Sequence, residues 1–190
     1  LQALRLPPGV ALVITLTNQA DAAHWACFDL PPLTPALRQE AIGRFYQGYR
    51  KTLANTLLNQ IADHPATAEP LFLRLLLEEL RMHAQHEKLG ELTEQLLATG
   101  NAGRLFTHVL AEIDQDFAAH SHRTGLAAQT AGLMTVSRRG LLRHDLACLL
   151  ASANDPQSAD GRHCVPDATL SPLLAQLEPF CLNDGGRRYI

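Results

Sequence analysis

The run Glu69-Pro70-Leu71-Phe72-Leu73-Arg74-Leu75-Leu76-Leu77-Glu78-Glu79-Leu80-Arg81 constrains the fold more than any other stretch. From Leu71 to Leu77 its only polar residue is Arg74. Leucine favours helix, and no β-branched residue interrupts the run. Pro70 suits the first turn, where its missing N–H is no loss and its fixed φ already fits. A helix apolar around most of its circumference needs neighbours on several sides, so the pattern predicts a central helix from Pro70 to about Ala84. It is too short to cross a bilayer, which takes about 20 apolar residues. The Leu and Phe side chains read as core. Pro70, at the entrance, is the position whose role the pattern leaves open.

A chain of 190 residues allows one large domain or two small ones and can bury a core without staples. With 46% hydrophobic and 18% charged residues, the composition is globular. A net charge of −3 excludes a global basic field for nucleic acid. The four cysteines, Cys27, Cys148, Cys164 and Cys181, form no C-x-x-C pair. With no secretory segment in view, free thiols in a reducing cytosol are expected. The chain starts Leu-Gln-Ala and ends Arg-Arg-Tyr-Ile, so a piece of a longer protein is expected.

Val10-Ala11-Leu12-Val13-Ile14-Thr15-Leu16, between Pro7-Pro8-Gly9 and Thr17-Asn18-Gln19, reads as a strand buried on both faces. No partner strand follows in the first half, so its sheet is expected elsewhere. After a loop, Thr34 and Pro35 open a helix carrying Leu37, Ala41, Ile42, Phe45, Tyr46 and Tyr49. A second holds Leu53, Leu57, Leu58 and Ile61 and stops before Pro65. The leucine-rich helix is third. A fourth has Leu89, Leu92, Leu96 and Leu97, with Gly100 as its C-terminal cap.

Asn101 caps a fifth helix with Leu105, Phe106, Val109, Leu110, Ile113 and Phe117 on its apolar face. A sixth runs from about Thr124 to Val136. Arg138-Arg139-Gly140 makes a tight corner, and Leu142 to Leu150 is helical again. Residues 152–168 read as a loop, and Ser171-Pro172 as the start of the last helix. Phe180 to Ile190, around Asn183-Asp184-Gly185-Gly186, reads as a hairpin. The expected fold is therefore mainly α: a helical bundle followed by a winged-helix domain, with one N-terminal strand. The expected boundaries are 1–30, 31–100 and 101–190.

Chemistry-bearing motifs are sparse. No P-loop (G-x-x-x-x-G-K-S/T) and no G-x-G-x-x-G occurs. His83 and His86 lie three apart, His120 and His122 two apart, and His163 beside Cys164, but the spacing adds no further ligands, so no metal site is assigned. No Ser or Cys sits in a nucleophile-elbow setting, and no catalytic residue is assigned. Glu78 and Glu79 are expected as a solvated pair or a partner for Arg81. Arg138 and Arg139 could touch phosphate, although a helix end favours arginine in any case.

Several of these pieces together resemble a known arrangement. Leu6-Pro7-Pro8-Gly9-Val10-Ala11-Leu12-Val13-Ile14-Thr15-Leu16 looks like the late strand of a P-loop core that carries the sensor-1 position. Leu33-Thr34-Pro35 and then Glu69 to Leu80 are similar to the helical domain of NACHT-type STAND NTPases, the nephrocystin-like branch being the nearest. Ser137-Arg138-Arg139-Gly140-Leu141, Leu170-Ser171-Pro172-Leu173-Leu174 and the terminal hairpin look like its winged-helix domain. Glu69 stands where Asn or Gly is commoner, and Leu142 replaces a Ser that usually caps the next helix.

The resemblance implies a nucleotide-gated signalling switch whose ATP or ADP, with Mg, sits where the core, helical and winged-helix parts meet. It implies that Pro70 lies near the adenine, and that Thr15 or Thr17 serves at the end of the strand, where no Arg occurs. The family's winged-helix histidine would fall just past Ile190. The implied parent is a cytoplasmic, AAA+-like ATPase with a TPR or WD40 repeat domain and homo-oligomer formation on activation. The 190 residues alone, without the P-loop, would bind no nucleotide and catalyse nothing. Neither a membrane nor a specific nucleic acid is expected as a partner. The alternative reading is a winged-helix nucleic-acid-binding regulator.

Overall fold

The computed structural model describes residues 28–82, 88–121, 124–154, 164–184 and 187–189. The expected strand over 10–16 lies outside them. The chain divides into two compact units, Leu1–Pro31 and Pro32–Ile190, and the second carries all the regular structure described below.

That unit is mainly helical. In chain order it comprises α1 (Pro35–Gly48), α2 (Asn55–Asp63), α3 (Pro70–Met82), α4 (Leu89–Ala98), α5 (Ala102–Ser121), α6 (Leu126–Val136), β1 (Leu141–Leu142), α7 (Arg143–Asn154), α8 (Asp167–Leu177), β2 (Leu182–Asp184) and β3 (Arg187–Tyr189). Several boundaries have a local cause. The Leu37 N–H donates to the Thr34 hydroxyl at 3.4 Å, with Pro35 in the first turn of α1. The Arg104 N–H donates to Asn101 Oδ1 at 2.9 Å at the head of α5. Gly100, after α4, takes φ 73°, the left-handed conformation that ends helices.

The leucine-rich run forms α3, and eight of its thirteen residues are buried. Phe72 and Leu76 are fully enclosed, with Ile42 from α1, Ile61 from α2, Leu96 from α4 and Leu105 from α5 around them. Burying each such side chain contributes about 1.5–3 kcal/mol, so this central helix dominates the first half of the core. The long α5 packs against α3 and also against α6 and α8. Beyond it Leu126, Met134, Leu146, Leu150, Leu170 and Leu173 make a second fully buried cluster, continuous with the first.

The three short strands form one antiparallel sheet in the order β1-β3-β2. Leu141 pairs with Arg188 and Leu142 with Arg187, while Leu182 pairs with Tyr189. The corner before β1 is as tight as its sequence demands. Gly140 is buried at φ 69°, a conformation that would strain any residue with a Cβ, and its N–H donates to the Ser137 carbonyl at 3.3 Å.

Several boundaries differ from the expected ones: Tyr49 and Leu53, expected on the first and second helices, lie between α1 and α2. Leu142 belongs to β1 rather than to the following helix. The last helix begins at Asp167, inside the stretch read as a loop, and Pro172 lies within it. The proline has no N–H for the carbonyl of Ala168, one turn earlier, and Ala168 is exposed.

Candidate functional site

Pro70 is exposed at the entrance of α3 and Leu71 beside it is 56% exposed, while Met82 is 48% exposed at the other end of the helix. Arg74, one turn further on, is exposed on the same face. The approach to this entrance is held by a set of hydrogen bonds. A short 3-10 turn, Pro65–Ala68, delivers the chain to α3. Underneath it, the buried Arg38 of α1 donates to the carbonyls of Leu33 (2.8 Å), Ala62 (2.7 Å) and His64 (2.9 Å). The Thr67 hydroxyl, fully buried, lies 2.7 Å from the Ile61 carbonyl and 2.6 Å from that of His64. The Leu33 N–H donates to the Ala68 carbonyl at 2.9 Å, tying the start of α1 to the turn. The entrance is thus held rigidly by charge-assisted and neutral hydrogen bonds. Thr15 and Thr17, the other nucleotide positions implied by the resemblance, lie outside the described residues.

A second polar cluster lies on the far half of α3. Glu78 and Glu79 are each only 6% exposed, so they are not a solvated pair. Arg81 Nε donates to Glu78 Oε2 at 3.0 Å, and its guanidinium sits 4.6 Å from the centre of the Tyr49 ring. Glu79 is hydrogen-bonded to Glu112 of α5, with its pKa pushed up to about 7 by desolvation first and by the Glu112 carboxylate second. His108 Nε2 lies 3.3 Å from Glu112 Oε1. Burial likewise pushes the Tyr46 phenol up to about 12, against the lowering effect of Arg81. The Glu79–Glu112 hydrogen bond links α3 to α5. Helical spacing placed Glu78 and Glu79 at the edge of the apolar run, but only the packing of α5 shows that the edge is covered.

The third cluster brings together His144, Cys148 and Cys164, whose ligating atoms all lie within 4.8 Å of one another. Cys148 and Cys164 are joined as a disulfide, which corrects the expectation of free thiols for this pair. The cause is local: the Val165 N–H donates to the Ala147 carbonyl at 3.0 Å and lays Cys164 against α7. Cys181 is free and half-buried, its Sγ 3.7 Å from Met134 Sδ. Burial pushes its thiol pKa up, Arg188 opposes this, and Glu178 adds to it. Of the other histidines considered for metal, His83, His86, His122 and His163 lie outside the described residues. Arg138 and Arg139 are exposed at the corner before β1. Arg143 is engaged, donating to Asp167 Oδ1 at 2.9 Å and to the Ser171 hydroxyl.

Among the described residues no helix is long and apolar enough to cross a membrane. No family model matches the chain, and no solved structure matches it. Over 155 residues, 82% of its length, the chain is 29% identical to a TPR repeat-containing protein of Dictyostelium discoideum, of which it spans 9%.

Proposed function

We propose that the chain is the helical and winged-helix part of a STAND-type nucleotide switch, in which the entrance of α3 faces the nucleotide. The observation that carries this reading is the exposed Pro70–Leu71 step at the entrance of the central helix, braced from below by Arg38. Pro70 offers a flat apolar ring with no N–H donor, suited to lie against a base, and Arg74 supplies a cation one turn away. The ATP or ADP and Mg, the phosphate-binding loop and Thr15 and Thr17 belong to the rest of a P-loop core in the same protein. ADP holds the two parts together; exchange for ATP releases them as rigid bodies for homo-oligomer assembly.

Two further observations support the reading. The order α6-β1-α7-α8-β2-β3, with the sheet in the order β1-β3-β2, fits a winged helix. The similar Dictyostelium protein is named for TPR repeats, the kind of domain such switches carry beyond the winged helix. The nucleic-acid alternative is weakened by the same topology. The helix in the recognition position is α8, Asp-Ala-Thr-Leu-Ser-Pro-Leu-Leu-Ala-Gln-Leu, which has an acidic start and no Lys or Arg.

The test is calorimetry of Mg-ADP and Mg-ATP on a longer protein that joins this chain to its P-loop core. Pro70→Ala is expected to weaken affinity by about 1 kcal/mol, the value of one apolar contact, with the melting temperature unchanged. The 190-residue chain alone is expected to bind neither nucleotide at micromolar concentration. Unchanged affinity in Pro70→Ala with reduced stability would leave Pro70 as a helix starter only.

A further inference from the structure

His144 and Cys148 stand four residues apart on α7, so the helical repeat places imidazole and sulfur on one face. His144 Nε2 lies 3.8 Å from Cys148 Sγ. Tetrahedral zinc, at about 2.0–2.3 Å from nitrogen and sulfur, holds its ligand atoms about 3.5–3.8 Å apart. The His144–Cys148 spacing therefore already fits a metal. The two sulfurs do not, because they are bonded to each other. Besides the disulfide, the Val165–Ala147 hydrogen bond at 3.0 Å also ties the chain next to Cys164 to α7, a contact that reduction does not itself break.

We propose that reduction of the Cys148–Cys164 disulfide turns this cluster into a zinc site built from two thiolates and the His144 imidazole. Its fourth position is filled by water. The electron balance is simple. A dithiol reductant delivers two electrons and two protons, the S–S bond breaks, and the reductant becomes a disulfide. Zinc then displaces a proton from each thiol, so metal and disulfide exclude one another. Two sulfurs with one imidazole select zinc over magnesium or calcium, which prefer oxygen. His144 is exposed and the two cysteines are half-buried, which leaves an approach from solvent. The neighbouring cation, Arg143, is neutralised by Asp167 and does not oppose a divalent ion.

The experiment titrates cobalt(II), as a coloured stand-in for zinc, into the chain reduced with a phosphine under argon. One equivalent is expected to give the visible bands of a tetrahedral site and a near-ultraviolet thiolate-to-cobalt charge-transfer band, both bleached by zinc. The oxidised chain, Cys148→Ser and Cys164→Ser are expected to lack the charge-transfer band of a two-thiolate site. Cys181→Ser is expected to keep it. His144→Ala alters an exposed side chain, leaves folding intact by circular dichroism, and is expected to weaken binding at least about tenfold. The absence of these bands in the reduced wild type, their survival in the double Cys variant, or wild-type affinity in His144→Ala overturns the proposal.

Discussion

Arg38 Nη1 lies 2.7 Å from the carbonyl oxygen of Ala62, a residue 24 positions away that is fully buried. This contact joins α1 to the end of α2, and the same guanidinium reaches Leu33 and His64, so one side chain fixes the approach to α3. Removing it leaves buried carbonyls without donors, the expensive half of a lost hydrogen bond. Arg38→Met is expected to destabilise the fold by about 2–4 kcal/mol, read from urea midpoints. Arg38→Lys is expected to rescue little, since a single ammonium cannot reproduce a planar fork. A loss below about 0.5 kcal/mol would mean that the turn holds itself, as ordinary surface substitutions do.

The Glu79–Glu112 pair makes stability depend on pH in the direction opposite to most carboxylates. Glu79 has its folded pKa raised to about 7, above the ordinary value of 4.5. The folded protein therefore binds the proton more tightly than the unfolded chain. The contribution is complete below about pH 4.5 and disappears as pH rises through about 7. Glu78 and Arg81 flank Glu79 on α3 and His108 contacts Glu112, so the useful reading is a difference. Glu79→Gln, which remains a neutral donor to Glu112, is expected to melt higher relative to wild type at pH 8 than at pH 5. Parallel melting curves across that range would show that Glu79 is ionised and solvated.

The helices were legible in the sequence where punctuation and period agree. Thr34-Pro35, Pro70, Gly100 and Asn101 each act at the boundary their chemistry suggests. The misreadings fall where the local pattern alone does not fix the outcome. Pro172 looks like a first-turn residue, yet Asp167 starts α8 and the proline lies inside it, one turn after the exposed Ala168. Cys148 and Cys164 are 16 residues apart, a spacing that signals nothing until the Val165–Ala147 hydrogen bond brings them together. No periodicity in α1 reveals that three carbonyls converge on Arg38. Pro70 was singled out from sequence; its exposure beside Leu71 became visible only in the folded arrangement.

Reduction of the disulfide is expected to loosen the second half of the core. Closing a loop of 16 residues restricts the unfolded chain by about 3 kcal/mol in the chain-entropy account. Metal-free protein treated with a phosphine is therefore expected to melt about 6–12 °C lower than the oxidised chain. The double variant Cys148→Ser, Cys164→Ser should match the reduced wild type and ignore the phosphine. If the phosphine lowers the double variant's melting temperature equally, the effect arises elsewhere in the chain.

Asp114 on α5 supplies what α6 lacks at its own start. The residue before α6 is Gly125, which has no side chain to cap the helix. The Ala127 N–H donates to Asp114 Oδ1 at 2.6 Å and the Ala128 N–H to Oδ2 at 3.3 Å, so one carboxylate takes two of the first free donors. Its negative charge also lies at the positive end of the helix. Asp114→Ala should cost about 1–2 kcal/mol, as loss of a good N-cap does. Asp114→Asn keeps an acceptor but loses the charge, so about 0.3–1 kcal/mol is expected. Faster hydrogen exchange at Ala127 and Ala128 should accompany both changes. Full-strength stability in Asp114→Ala with unaltered exchange there would mean that water caps α6 equally well, and that α5 holds α6 by its apolar face alone.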